Sequence, residues 1–169
     1  MYYYIFLAKF GTIAILFKKN PTRIKRIFLP QDDKKNLKQL VRSAGGIKNG
    51  ISPVVTDLKQ KIQAYFRGKP LECDWDILDL SNLTALQKKV LCETAAIPYG
   101  LVRSYGELAE RVGHPKAARF VGATMARNPF PIVIPCHRVI GSQGKLGGYS
   151  GGVELKRRLL QFEGVSGFK

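Results

Sequence analysis

Strand-forming residues crowd into the opening stretch of this chain. Tyr2–Ala8, Thr12–Phe17 and Arg23–Phe28 are rich in aromatic and β-branched side chains, and Gly11 and Asn20-Pro21 punctuate them. Runs of that composition, broken at turn residues, predict a three-stranded antiparallel meander. Tyr2 to Phe17 is apolar enough to raise a signal peptide or a membrane span. Lys9 interrupts it, however, and it has neither a basic n-region nor an A-x-A cleavage site. It is also too short and too charged to span a bilayer. It reads as a hairpin with its turn near Phe10-Gly11.

Helical patterning then takes over. Asp32–Ser43 predicts a charged helix that ends at Gly45-Gly46. Ser52-Pro53 pairs an N-cap with proline at the first helical position. Val54, Val55, Leu58, Ile62, Tyr65 and Phe66 follow at threes and fours on one side, up to Gly68. Lys69–Ser81 reads as a linker with one short strand at Trp75–Leu78. Thr84-Ala-Leu-Gln87 and Ser104-Tyr-Gly-Glu107 both fit the capping box. They open helices that run to about Ala96 and to Val112. A turn at Gly113-His114-Pro115 leads into a helix over Lys116–Arg127, stopped before Asn128-Pro129. Two short helices joined by a tight glycine turn suggest a helix-turn-helix. A proline-studded stretch and a glycine-rich stretch come next, and a last amphipathic helix spans Val153–Phe162.

With 169 residues, at about 100–200 per domain, the chain makes one domain or two small ones. Its 45% apolar and 24% charged residues are those of a globular protein. Charge is the exceptional quantity: 28 Lys and Arg face 12 Asp and Glu, a net of +16. Residues 1–70 carry 15 against 3, and residues 71–169 carry 13 against 9, so +12 of the surplus lies in the first stretch. A polyanion is the first partner to consider, with the first half supplying a general attractive field. Cys73, Cys92 and Cys136 form no CxxC pair, so a disulfide framework is not expected and the chain reads as intracellular. With His114 and His137 the only histidines, no metal-ligand spacing occurs, and no metal or cofactor is expected.

Pro135-Cys136-His137-Arg138 carries the sharpest chemistry. A thiolate is the reactive form of cysteine, a histidine can take its proton, and a carboxylate can orient that histidine. Adjacent residues need not point the same way, so a direct pair and a water-bridged pair are both open. Glu163 is the only acid beyond Glu154. Cys73 and Cys92 have no such neighbour, and Cys92, in mid-helix, reads as core. Ala118, Gly122 and Ala126 make a small-residue face that lets a helix approach another surface, and Arg119 stands beside it. The stretch from Gly141 to Gly152 lacks the phosphate-cradling GxxxxGK[ST] and GxGxxG patterns. It reads as a loop folding over a small flat group, with Tyr149 as its lid.

Taken together, Ile97-Pro-Tyr-Gly100, Ser104-Tyr105-Gly, Pro115-Lys-Ala-Ala-Arg119-Phe-Val-Gly122, Asn128-Pro-Phe-Pro131, Ile134-Pro-Cys136-His-Arg-Val139-Ile-Gly and Gly148-Tyr-Ser150-Gly-Gly resemble the O6-alkylguanine-DNA alkyltransferases. The segments keep that family's order and spacing over roughly residues 80–165. The resemblance implies an α/β protein of two domains. Residues 1–78 would be a ribonuclease-H-like small sheet with helices, and residues 79–169 a helical, winged-helix-like domain for DNA binding and alkyl transfer.

It also implies single-turnover transfer of the alkyl group from O6-alkylguanine, and less efficiently O4-alkylthymine, to Cys136. His137 would act as base through water with Glu163 behind it. Arg119 would fill the gap left by a flipped nucleotide, and Tyr105 would help rotate it out. Asn128 would brace the turn, Pro131 would wall the pocket, and Tyr149 and Ser150 would close over the base. Val139 and Cys136 would offer carbonyls to its exocyclic amine. The helix bearing Ala118, Gly122 and Ala126 would enter the minor groove of double-stranded DNA. The expected protein is a cytoplasmic monomer (nuclear in a eukaryote) with no membrane partner. The zinc site of some relatives cannot be built, because residues 1–72 hold no Cys or His. Two rivals stand beside this reading. One is a lesion-recognition protein without catalysis. The other is a cysteine hydrolase using Cys136, His137 and Glu163, against which the helix-turn-helix and the basic balance argue.

Overall fold

The computed structural model describes residues 1–72 and 74–169 and divides into two compact units, Met1–Asp79 and Leu80–Lys169. It is a mixed α/β protein. Cys73 lies outside the described residues, so the expectation placed on it goes no further. Among the described residues, no helix is long and apolar enough to cross a membrane.

The first unit is a four-stranded sheet of order β3-β2-β1-β4, formed by β1 (Tyr2–Ala8), β2 (Gly11–Lys18), β3 (Arg23–Gln31) and β4 (Lys48–Asn49). β1 and β2 form the expected hairpin, with Ala8 paired to Gly11 across a Lys9-Phe10 turn. Gly11, at φ +123°, supplies a backbone conformation that only glycine adopts readily. Ile13 to Phe17 are all buried, without the alternation of a one-sided sheet. The register explains this. Tyr2, Tyr4 and Phe6 pair with Phe17, Ile15 and Ile13 on one face, while Tyr3 and Ile5 pair with Leu16 and Ala14 on the other. Helix α1 (Lys34–Ser43) covers the second face through Leu37 and Val41. The first face holds the rings of Tyr2 and Phe17 in a stack 5.9 Å apart. Helix α2 (Pro53–Tyr65) contributes buried Val55, Leu58, Ile62 and Tyr65, each stabilising the unit by about 1.5–3 kcal/mol.

Three sequence expectations change here. The sheet has a fourth strand, β4, which runs parallel to β1 and carries no strand-forming side chain. Trp75–Ile77 is a 3-10 turn capped by Asp74 rather than a strand; the chain meets the sheet just after it, where Leu78 bridges to Ile24 and the Asp79 amide donates to the Ile24 carbonyl at 2.8 Å. Cys92 is exposed: α3 (Ala85–Ala95) buries Val90, Leu91 and Thr94 and turns Cys92 outward.

The second unit packs α3 against α4 (Tyr105–Arg111) and α5 (Ala118–Ala126). Both capping boxes form, Thr84 with Gln87 and Ser104 with Glu107. Gly113, at φ +82°, ends the α4 segment, and the His114 amide turns back to the Ala109 carbonyl at 2.9 Å. α5 starts at Ala118, two residues later than expected, because Ala117 offers no capping side chain and Pro115–Ala117 are spent in a turn. Two short parallel strands, β5 (Arg103–Ser104) and β6 (Val139–Ile140), tie the start of α4 to the segment after Cys136. Helix α6 (Val153–Phe162) closes the unit.

Candidate active site

The site is built where α5 gives way to a turn. Asn128, buried just beyond the helix, donates through Nδ2 to the Ile134 carbonyl at 2.9 Å, and its Oδ1 accepts from the Phe130 amide at 3.0 Å. One side chain thereby joins both ends of the turn over residues 129–135. Within it Ile132 is buried at φ +72°, a strained conformation for a β-branched residue. The Asn128 bonds and the Ile134 amide to Phe130 carbonyl bond, at 2.8 Å, hold the chain there. The turn delivers Cys136, His137 and Arg138 as a single buried 3-10 turn.

Cys136 is 3% exposed and lies in the wall of a cleft of about 410 Å³. That volume falls in the range of small-molecule sites. Tyr105 from α4 and Gly122, Met125 and Ala126 from α5 line one part, and Gly148, Tyr149 and Ser150 from the glycine-rich loop line another. The ring of Tyr105 lies over Gly122, and a Cβ at Gly147 would come within 3.0 Å of the Tyr105 hydroxyl. Gly147 is at φ +68°, so both its conformation and its missing side chain serve this approach.

A dense ionic network stands behind the thiol. Glu163, the C-cap of α6, accepts from Arg138 Nε at 2.8 Å, from Arg138 Nη2 at 3.0 Å and from the Gly100 amide at 3.2 Å. His137 Nε2 lies 2.8 Å from its Oε1. Burial alone would raise the Glu163 pKa, but the hydrogen bonds from His137 and Arg138 outweigh it and hold the carboxyl at about 2. An ionised carboxylate only accepts, so the proton of that pair sits on Nε2. Burial lowers the His137 pKa further than Glu163 raises it. His137 is therefore a neutral imidazole with the lone pair on Nδ1, the form a general base needs. Arg138 also donates to the Ile97 carbonyl at 2.6 Å.

Burial pushes the Cys136 thiol up, while a hydrogen bond from Asn128, the charge of Lys156 and a hydrogen bond from Tyr149 pull it down. Lys156 is fully buried and donates to the Val139 carbonyl at 2.6 Å and to the Leu146 carbonyl. Burial lowers its pKa to about 8, which leaves it cationic at neutral pH. Burial also raises the Tyr105 pKa, and the charge of Cys136 adds to this.

The structure thus brings Tyr105, Gly122, Ala126, Asn128, Cys136, Tyr149 and Ser150 to one cleft region, and His137 and Glu163 together behind it. Arg119 is exposed in the first turn of α5, one residue after half-buried Ala118. Pro131 is buried in the strained turn, where it bridges to Ile134. Sequence reasoning passed over Lys156, Met125, Gly100 and the role of Arg138. Lys156 was findable, since it shares the spacing of Leu159, Leu160 and Glu163, the buried face of α6. Gly100 acts through its backbone amide and carries no side-chain signal. Among the described residues no cluster of three His, Cys, Asp or Glu side chains is placed to hold a metal ion.

Comparison with known proteins finds relatives of this chain. Residues 85–165 match the family model for the 6-O-methylguanine DNA methyltransferase, DNA binding domain. A methylated-DNA–protein-cysteine methyltransferase of Mycobacterium bovis is 50% identical over 103 residues, 61% of this chain and 61% of that protein, so the match spans less than two thirds of that relative. The constitutive methylated-DNA–protein-cysteine methyltransferase of Bacillus subtilis is 39% identical over 154 residues, 90% of each chain. A crystal structure of Mycobacterium tuberculosis OGT in complex with DNA superposes with a TM-score of 0.77 at 34% identity, covering 96% of this chain and 92% of that one. An O6-methylguanine-DNA methyltransferase from Pyrococcus kodakaraensis gives 0.75 at 27% identity, covering 96% and 99%.

Proposed function

The chain belongs to the O6-methylguanine-DNA methyltransferase family, and on that premise we propose that it repairs O6-alkylguanine in double-stranded DNA by moving the alkyl group irreversibly onto Cys136. O4-alkylthymine is the poorer substrate. The observation that carries the proposal is the pairing of a buried thiol in a base-sized cleft with a neutral His137 held by an ionised Glu163.

A base cannot be dealkylated inside the stack, so the duplex gives it up by flipping, at a cost of roughly a few kcal/mol. Exposed Arg119 fills the gap and offsets part of that cost. Tyr105 helps turn the nucleotide out, and Tyr149 and Ser150 close over the base. The small face at Ala118, Gly122 and Ala126 lets α5 approach the minor groove. The exocyclic amine donates to the Cys136 and Val139 carbonyls. The Val139 carbonyl already accepts from Lys156, and its second lone pair takes the new donor. Pro131, within the turn that Asn128 braces, backs the pocket wall.

The Cys136 proton passes through water to His137 Nδ1. The thiolate then attacks the alkyl carbon in line, a C–S bond forms and the C–O6 bond breaks. The electron pair stays on the guanine, where donors such as the Ser150 amide or the Tyr105 hydroxyl stabilise the developing charge. The product thioether is not reversed, so each molecule acts once. By family likeness residues 1–78 form a ribonuclease-H-like domain and residues 79–169 a winged-helix-like domain with α4 and α5 as its helix-turn-helix.

Intact-protein and peptide mass spectrometry after incubation with an oligonucleotide carrying one O6-methylguanine tests the proposal. A stoichiometric gain of one CH₂ on the Cys136 peptide is expected. Tight lesion binding with no mass gain would overturn transfer and leave a recognition protein.

A further inference from the structure

The first unit carries a charge feature that alkyl transfer does not use. Lys34, Lys35, Lys38 and Arg42 are all exposed on α1. Lys34, Lys38 and Arg42 recur every fourth residue, and Lys35 lies three residues before Lys38. With a rise of 1.5 Å per residue they make a strip about 12 Å long. Leu37 and Val41 form the buried stripe of the helix, three residues on from Lys34 and Lys38, so the cations flank it on the exposed side. Among the described residues none of the four cations has an ion pair. Asp33, the nearest acid, is engaged as N-cap by the Lys35 and Asn36 amides. The ion pairs described in this unit, Lys25–Asp79 and Lys61–Asp57, lie on other elements.

Folding does not account for this strip. Like charges four residues apart on a helix repel each other and weaken it. Lys34 and Lys35 also sit in the first turn, at the positive end of the helix dipole, and that turn holds no acid. The dipole favours only Arg42, in the last turn, yet all four cations stand together in the part of the chain, residues 1–70, that holds +12 of the +16 net charge. A repeating row of unpaired cations, interleaved with exposed Asn36, Gln39 and Ser43, suits a repeating row of phosphates.

We propose that the outer face of α1 is a sequence-independent contact for the phosphate backbone of duplex DNA, additional to the lesion site around Cys136. The choice of duplex over other polyanions rests on the repair reading above. Each cation that neutralises a phosphate releases condensed counterions, so the strip steepens the salt dependence of binding.

The test uses the full chain and the fourfold variant K34Q/K35Q/K38Q/R42Q. Affinity for an undamaged duplex is measured by fluorescence anisotropy over a range of salt concentrations. Four lost phosphate contacts reduce the slope of log affinity against log salt by about 3–4. Uptake of the benzyl group from free O6-benzylguanine, which needs no DNA, stays at the parent rate and reports an intact fold. The charge-conserving K34R/K35R/K38R variant keeps the parent slope. An unchanged slope in a folded fourfold variant overturns the proposal. Should the parent take up no alkyl group at all, the repair reading fails, while the slope on undamaged duplex still decides the strip.

Discussion

Residues at the thiol divide the chemistry among themselves, and single substitutions separate their parts. Cys136→Ala is expected to keep lesion binding and abolish transfer, read as a gel shift without mass gain. Lys156→Met is more informative. It leaves the Val139 and Leu146 carbonyls without their buried donor, at about 1–3 kcal/mol each. Relief of the buried charge returns part of that, so a net loss of about 2–4 kcal/mol is expected in denaturant unfolding. The same change removes the cation that draws the Cys136 thiol down, so the reaction with free O6-benzylguanine slows as well. A more stable variant with an unchanged rate would refute both roles. At this scale the motif residues were legible because they stand in short contiguous segments, such as Pro135-Cys136-His137-Arg138. Arg138 and Gly100 were not, because their contacts reach back to Ile97 or forward to Glu163 across most of the second unit.

Elements were readable where their signals are local. Both capping boxes and the Ser52-Pro53 start need only four consecutive residues, and α2, α3, α4 and α6 begin where those signals or the periodicity place them. β4 was invisible because two exposed polar residues become a strand only by lying beside β1. Trp75–Ile77 misled because an aromatic and a β-branched residue pattern like a strand, whereas the Asp74 cap closes a turn there. For Cys92 the error was one of facing: it lies beside Leu91 in sequence but off the stripe that Val90, Leu91 and Thr94 bury. α5 presents Arg119 outward while Gly122 and Ala126 line the cleft. Arg119→Ala should therefore slow repair in duplex DNA at least tenfold, about 1.4 kcal/mol or more of the few that flipping costs, and leave reaction with free O6-benzylguanine within about twofold. Equal losses on both substrates would exclude a role in filling the stack.

At the scale of the whole molecule, acid is the condition that discriminates. The Glu163 pKa is about 2 in the folded chain and about 4.5 in the unfolded one. A depressed carboxyl stabilises above its unfolded pKa, and that contribution, about 3 kcal/mol, drains away as pH falls from about 4.5 to 2. His137, lowered by burial, acts in the same direction: the unfolded chain binds its proton first as pH drops below about 6.5. Stability should thus decline from about pH 6.5 and fall steeply below 4.5, as followed by near-UV circular dichroism. Glu163→Gln should flatten the lower limb, and a variant with the parent's full acid slope would count against the network.

Glu163 joins His137 and Arg138, the two residues that follow Cys136, across 26 and 25 residues of sequence. Synthesis proceeds at about 5–20 residues per second, so a growing chain carries the nucleophile for roughly one to five seconds before the carboxylate is even made. Until α6 is made, His137 has no carboxylate to fix its tautomer, and Arg138 has the Ile97 carbonyl alone. Of the side chains in this ionic network, the carboxylate that completes it is the last to be made.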